Sequence, residues 1–138
     1  MYILTQSGRE VGPETGIPSL EDIARGLARQ PRFGGQSRCW WSVAHHSIFV
    51  ADLLRLRERK LFARQPEWEP LLILYGLLHD AHEAVTGDVP TPFKTPILRY
   101  YQRRLDERIP QEHVPALYRR RHDPLAVQLI HTYDRQAL

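Results

Sequence analysis

Cysteine is nearly missing from this chain. A single thiol, Cys39, in 138 residues excludes an intrachain disulfide and any zinc site built on cysteines. A reducing cytoplasm is therefore the expected compartment. Lysine is scarce too: Lys60 and Lys94 stand alone, and the other cationic side chains are Arg. No apolar run approaches the ~18 residues that a membrane span requires. "LLILYGLL", residues 71–78, is the length of a core segment. The opening "MYILTQSGRE" lacks the basic-then-apolar layout of a secretion signal. A Gly-rich phosphate loop ending in Lys-Ser or Lys-Thr is also missing, which excludes a P-loop mechanism. Neither an internal repeat, a low-complexity tract nor a long period-2 segment is visible.

What is present has an ordinary globular balance, with 42% hydrophobic and 25% charged residues. The length suits one domain around one core, with an expected span of 1–138. A net charge of +3 is too modest to imply a nucleic-acid polymer as partner, and no aromatic-basic recognition motif appears. The Arg-rich charge suits bidentate contact with phosphate or carboxylate, and equally reflects genomic composition.

The pattern along the chain predicts helices joined by Pro- and Gly-rich loops. Residues 1–18 read as an irregular N-terminal arm or a short hairpin. A helix follows in "SLEDIARGLARQ", capped by Ser19 and apolar at Leu20, Ile23, Ala24 and Leu27. "RFGGQSRCW" reads as a loop. From about Ser42, "SVAHHSIFVADLLRLRERKLFA" has helical spacing at Val43, Ile48, Val50, Ala51, Leu54 and Leu61. An apolar helix is expected from about Glu67 to Ala84, then a Pro-rich loop, then a helix over Pro96 to Ile109. The last helix begins after Asp123 as N-cap, with Pro124 at its first position. The fold class is all-α, a compact bundle.

Chemistry concentrates where the apolar run ends in His79, Asp80, His82 and Glu83. Burying ionisable groups is costly unless a metal ion, a set of partners or solvent compensates them. His79 and Asp80 are good ligands for a borderline divalent cation. Adjacent residues diverge by about 100° on a helix, so both can reach one ion only near a helix end. Glu83 lies one turn on and can hold or deprotonate a water. On spacing alone, the polar end of an apolar helix is the favoured reading. Two further places bear on the choice. Val43, His46 and Val50 share a face, which points His46 inward rather than His45. Asp134 is flanked by Ile130, Tyr133 and Ala137, so it is an acid aimed at or near the core. Two His and two Asp would leave coordination positions for water and a substrate oxygen.

"SVAHHS", then "LLHDAHEAVTGDVPTPFK", then "YDRQAL" resembles the HD-domain phosphohydrolase superfamily. The similarity is greatest to the small branch of 5′-deoxynucleotidases and phage dATP triphosphohydrolases, and extends from about Ser19 onward. The resemblance implies an HD-domain bundle and His46, His79, Asp80 and Asp134 as metal ligands. Glu83 is implied as the catalytic carboxylate, acting with Asp80. For the substrate it implies Arg32 on phosphate, Phe33 against base or sugar, and Asp88 near the sugar or holding its loop. Lys94 would be a second phosphate contact, and Pro92 would line the base pocket. The cofactor would be a divalent ion, Zn, Co, Mn, Ni or Fe, with room for an additional Mg. A homo-oligomer, dimer or hexamer, is the family habit.

The short chain and the "IARGLARQPRFGG" stretch favour the phage-like dATP triphosphohydrolase reaction. A 5′-deoxynucleotidase acting on dNMPs and a non-catalytic nucleotide-binding HD protein are the alternatives. His45 and His82 are expected to be solvated, as are Arg119, Arg120 and Arg121, while Trp40 and Trp41 pack at the helix start. Gln36 stands where phage relatives commonly have His. Asp134 stands four residues from the last residue given, which predicts a helix end that another subunit would hold.

Overall fold

The computed structural model describes residues 2–12 and 14–137. The expected arm 1–18 and span 1–138 thus include residues 1, 13 and 138, which lie outside the described residues. The arm is partly regular. Strands β1 (Ile3–Leu4) and β2 (Glu10–Val11) pair antiparallel, with Ile3 opposite Val11. Val11 and Ile17 are buried, so the arm packs onto the body.

Helix α1 (Leu20–Arg29) starts where expected, because the Ser19 side chain accepts from the Asp22 backbone N–H. Its buried face differs from expectation. Ile23 and Leu27 are inside, whereas Leu20 and Ala24 face solvent. Asp22 is buried instead, its carboxylate accepting from the Ser7 N–H and from the Ser7 and Ser19 hydroxyls. Those bonds, the Ser7 hydroxyl foremost, hold its carboxyl well below the usual range. Gly26 faces Ala84, where an added Cβ would lie 2.9 Å from the Ala84 Cβ.

Helix α2 (Val43–Arg57) is closed at its start by a reciprocal cap between Ser42 and His45. The continuous helix expected to Ala63 breaks at Glu58, and α3 (Arg59–Arg64) follows as a separate helix. The break brings Phe62 to Trp68, Leu72 and Ala126, and the Tyr133 hydroxyl donates to Glu58 at 2.5 Å. Packing outweighs the helical periodicity there. Ile48, expected inside, is exposed.

Helix α4 (Trp68–Leu78) lies on α2. Gly76 permits this, since a Cβ there would stand 3.2 Å from the Ala51 Cα. The helix expected to reach Ala84 stops at Leu78. A turn follows over 79–82, then α5 (Glu83–Thr86). Helix α6 (Pro96–His113) runs past Ile109 and carries Pro110 inside it. Helix α7 (Pro115–Arg120), which no expectation covered, is a single short element with Pro115 in its first turn. Helix α8 (Pro124–Gln136) begins as expected, with Asp123 accepting from the Leu125 and Ala126 N–H groups.

The fold is all-α apart from the small hairpin. One core cluster holds Ile23, Leu27, Val43, Ala81, Leu105 and Ile109, behind the turn at 79–82. A second joins α2 to α8 through Val50, Leu54, Ile130 and Tyr133. No helix among the described residues is long and apolar enough to cross a membrane.

Candidate metal centre

The two core clusters bring α2, the 79–82 turn and α8 to one point. One ligand atom each from His46, His79, Asp80 and Asp134 lies within 4.8 Å of every other. His46 Nε2 is 2.9 Å from Asp134 Oδ1 and 3.7 Å from Asp80 Oδ2. His79 Nε2 is 3.2 Å from Asp80 Oδ2 and 3.6 Å from Asp134 Oδ1. Because α4 ends at Leu78, His79 and Asp80 leave the helix and both turn toward the same place.

The donor set fits a divalent cation. His79 Nδ1 lies 2.8 Å from the Gly76 carbonyl, which can only accept, so Nδ1 carries a proton and Nε2 is the nitrogen that faces the cluster and would ligate a cation. Nε2 is buried and lacks an aligned hydrogen-bond partner, although two carboxylates stand close by. Such a group of acceptors needs a positive charge at its centre. In the protein alone that charge falls on the imidazole. Burial pulls the His79 pKa down, but the Asp134 and Asp80 carboxylates outweigh it and push it up to about 10. Burial also pushes Asp80 up, and the neighbouring imidazoles, His79 foremost, reverse this and hold it at about 2. His46 and His79 together keep Asp134 far below its usual range. His46 has no exposed surface at all, so its position is fixed by packing.

Glu83, the first residue of α5, is 3% exposed. Burial, then the charges of Asp80 and Asp88, push its carboxyl up to about 8, against the pull of Lys94 and Arg32. Lys94 Nζ stands 3.8 Å from Glu83 Oε1, whereas Oε2 is buried without a partner.

Arg32 and Phe33 lie in a 3-10 turn (Arg32–Gly35) ahead of α2. The Arg32 backbone N–H donates to the Trp41 carbonyl, and its buried guanidinium donates from Nη1 to Asp80 Oδ2 at 3.3 Å. Phe33 has φ of 56°, a left-handed backbone that is costly for a side chain of this size. Its N–H donates to Asp88 Oδ2 at 2.7 Å, and its ring lies 5.1 Å from the Arg32 Cζ. Asp88 thus holds the loop. Pro92 sits exposed in the 3-10 turn Thr91–Phe93.

A cavity of about 400 Å³ opens on His79, Asp80 and Asp134 and is walled by α6 to α8. Its lining includes Arg103, Asp106, Arg121, His122 and His131. Pro92 is not part of that lining.

Three sequence expectations about residues near the site need correction, the first being that Trp40, expected to pack at the helix start, is exposed. His82 is buried, not solvated, and its Nδ1 lies 2.7 Å from Asp106 Oδ1. The signal was Asp106 itself, four residues from Gln102 and three from Ile109 on the inward face of α6. The Arg119–Arg121 run is not a purely solvated face either. Arg120 lies over the Trp68 ring, and Arg121 lies over the Tyr118 ring and lines the cavity. His45 is exposed as expected and stacks on Trp41 at 5.4 Å.

A helical bundle that gathers a His, a His-Asp pair and a later Asp from separated helices is the architecture of an HD-domain protein. Within that class the chain belongs to the YfbR-like family: the family model described as 5′-deoxynucleotidase YfbR-like matches residues 36–118. His46, His79, Asp80, Glu83, Asp88 and Lys94 fall inside the match, and Arg32, Phe33 and Asp134 outside it. Over 92 residues the chain is 40% identical to an uncharacterized protein of Rhodobacter capsulatus, covering 65% of this chain and 43% of that protein. Over 56 residues it is 39% identical to a 5′-deoxynucleotidase of Photobacterium profundum, covering 38% of this chain and 28% of that protein. The matches span less than half the length of either relative.

Proposed function

We propose that the chain is a metal-dependent 5′-deoxynucleotidase that hydrolyses deoxynucleoside monophosphates to deoxynucleoside and phosphate. The observation that carries this reading is the family match over 36–118, whose span contains the His-Asp pair and Glu83. The relative from Photobacterium profundum bears the same activity in its name. Nothing in these comparisons supports the dATP triphosphohydrolase reaction that the sequence pattern favoured.

His46, His79, Asp80 and Asp134 would hold the cation. A bound divalent ion supplies charge to a phosphoryl oxygen and acidifies water. The protein's own side chains do the rest. Arg32, beside Asp80, and Lys94, beside Glu83, offset the charge on the phosphate oxygens. Glu83 takes the proton from the attacking water. The water oxygen bonds to phosphorus as the bond to the 5′ oxygen breaks, and the proton held by Glu83 passes to that 5′ oxygen, which leaves as the sugar hydroxyl. A carboxyl pushed up to about 8 accepts that proton more readily than an ordinary glutamate. Phe33 packs against the nucleoside, in a loop pinned by Asp88.

The test is incubation with panels of dNMPs, NMPs and dNTPs in Mn²⁺, Co²⁺ or Mg²⁺, with phosphate and triphosphate quantified separately. Phosphate from dNMPs is the expected product. Triphosphate from dNTPs would restore the other reaction. No release from any nucleotide with any of these ions sinks the reading.

A further inference from the structure

We propose that Asp106 and His82 form a positioning pair behind Glu83, fixing which of its carboxylate oxygens faces the reacting water. The inference rests on Glu83 being the catalytic base. His82 is 7% exposed, and its Nδ1 meets Asp106 Oδ1 at 2.7 Å, the length of a charge-assisted bond. The carboxylate accepts, so Nδ1 carries the proton. The other ring nitrogen, Nε2, is buried, has no partner, and lies 4.0 Å from Glu83 Oε1. An unpartnered buried nitrogen is costly, and an apolar side chain in that place would avoid the cost.

His82 is held through its ring by Asp106 and through its main chain by α5. The His82 carbonyl accepts from the Val85 and Thr86 N–H groups and the Thr86 hydroxyl, which fixes the main chain at the start of α5. Gln102, on the same face of α6 as Asp106, donates to Thr86 Oγ1 at 3.2 Å. Helix α6 thus grips the turn at two points. Within it, Glu83 Oε1 stands between Lys94 Nζ at 3.8 Å and His82 Nε2 at 4.0 Å. These distances are beyond direct hydrogen bonds but within reach of one bridging water or a small rotation. Bracketing Oε1 fixes the rotation of the carboxylate, and Oε2, buried and without a protein partner, is the oxygen left free to bond to the reacting water. Asp106 also lines the cavity that opens on His79, Asp80 and Asp134, so the pair spans from that cavity to the catalytic carboxylate.

Steady-state kinetics on dNMPs with His82→Phe, Asp106→Asn, Asp106→Ala and the His82→Phe/Asp106→Ala double variant test the pair. The expected result is a kcat loss on the order of 10-fold to 100-fold in each single variant. KM and bound divalent ion should stay within about threefold of wild type, and the double variant should lose no more than the worse single one. Folded variants with kcat within about twofold of wild type, or single losses that multiply, would overturn the proposal. Asp106→Asn keeps shape at a partly exposed position, so it stays informative if His82→Phe does not fold. Imidazole nitrogen NMR of the metal-free protein needs no turnover. It should show His82 fixed as the Nδ1–H tautomer, and freely averaging in Asp106→Ala. A ring that averages in wild type refutes the pair directly. Failure of the nucleotidase reading looks different, since wild type would then be idle on every dNMP.

Discussion

His46 on α2 and Asp134 on α8 meet at 2.9 Å, Nε2 to Oδ1, across 88 residues of sequence. One partner is wholly buried and the other partly open to the cavity, so the contact joins the core to the accessible edge of the cluster. Asp134→Asn keeps the shape and removes the negative charge. Divalent affinity, measured by calorimetry or by metal content after dialysis, should fall by about tenfold or more. Helical content should be unchanged.

Glu83→Gln separates chemistry from binding. Lys94 and Arg32 remain, and none of the four clustered ligands is altered. Turnover of dNMPs should fall on the order of 10²-fold to 10⁴-fold, with metal content retained and nucleotide still bound. A non-catalytic binding protein would behave the same before and after.

The same carboxyl gives the metal-free protein a dependence on pH. Its folded pKa, about 8, lies above the ordinary 4.5. The folded state therefore keeps this proton where the unfolded chain has lost it. The stability linked to it is complete below pH 4.5 and drains away as pH rises through 8. Denaturant titrations of metal-free wild type and Glu83→Gln should diverge across that window. Wild type should lose stability relative to the variant as pH rises.

Phe33→Gly addresses the strained loop. The left-handed backbone costs a non-glycine residue about 1 to 2 kcal/mol, which glycine avoids. Set against it are the contact of Arg32 with the ring, worth about 0.5 to 1 kcal/mol, and the greater freedom of an unfolded glycine. Net stability should therefore change by less than about 1 kcal/mol. KM for dNMPs should rise clearly, because the ring is lost. A melting curve and a substrate titration read the two effects separately.

Some of this was legible in the sequence, and physics separates what was from what was not. The Asp123-Pro124 start of α8 and the Ser19 cap of α1 are local signals, and both hold. The inward aim of His46 and Asp134 followed from apolar neighbours at helical spacing. The break at Glu58 did not show, because its cause is Phe62 reaching residues far along the chain. The end of α4 at Leu78 was hidden by an apolar pattern that runs on through Ala81 and Ala84. His82 was misread for the complementary reason. A histidine beside charged residues looks solvated until Asp106, 24 positions away on another helix, covers it.

The near-contact of Gly26 with Ala84 makes the turn's tolerance of mutation lopsided. A methyl at position 26 would meet the Ala84 Cβ at 2.9 Å and its carbonyl oxygen at 3.0 Å, so α5 would have to back away. Glu83 is the neighbouring residue and would move with it. Gly26→Ala should thus lower melting temperature, by about 1 to 3 kcal/mol in stability, and slow catalysis without touching a ligand. Randomising this rear position and selecting for rate should return glycine almost alone, although no substrate ever approaches it.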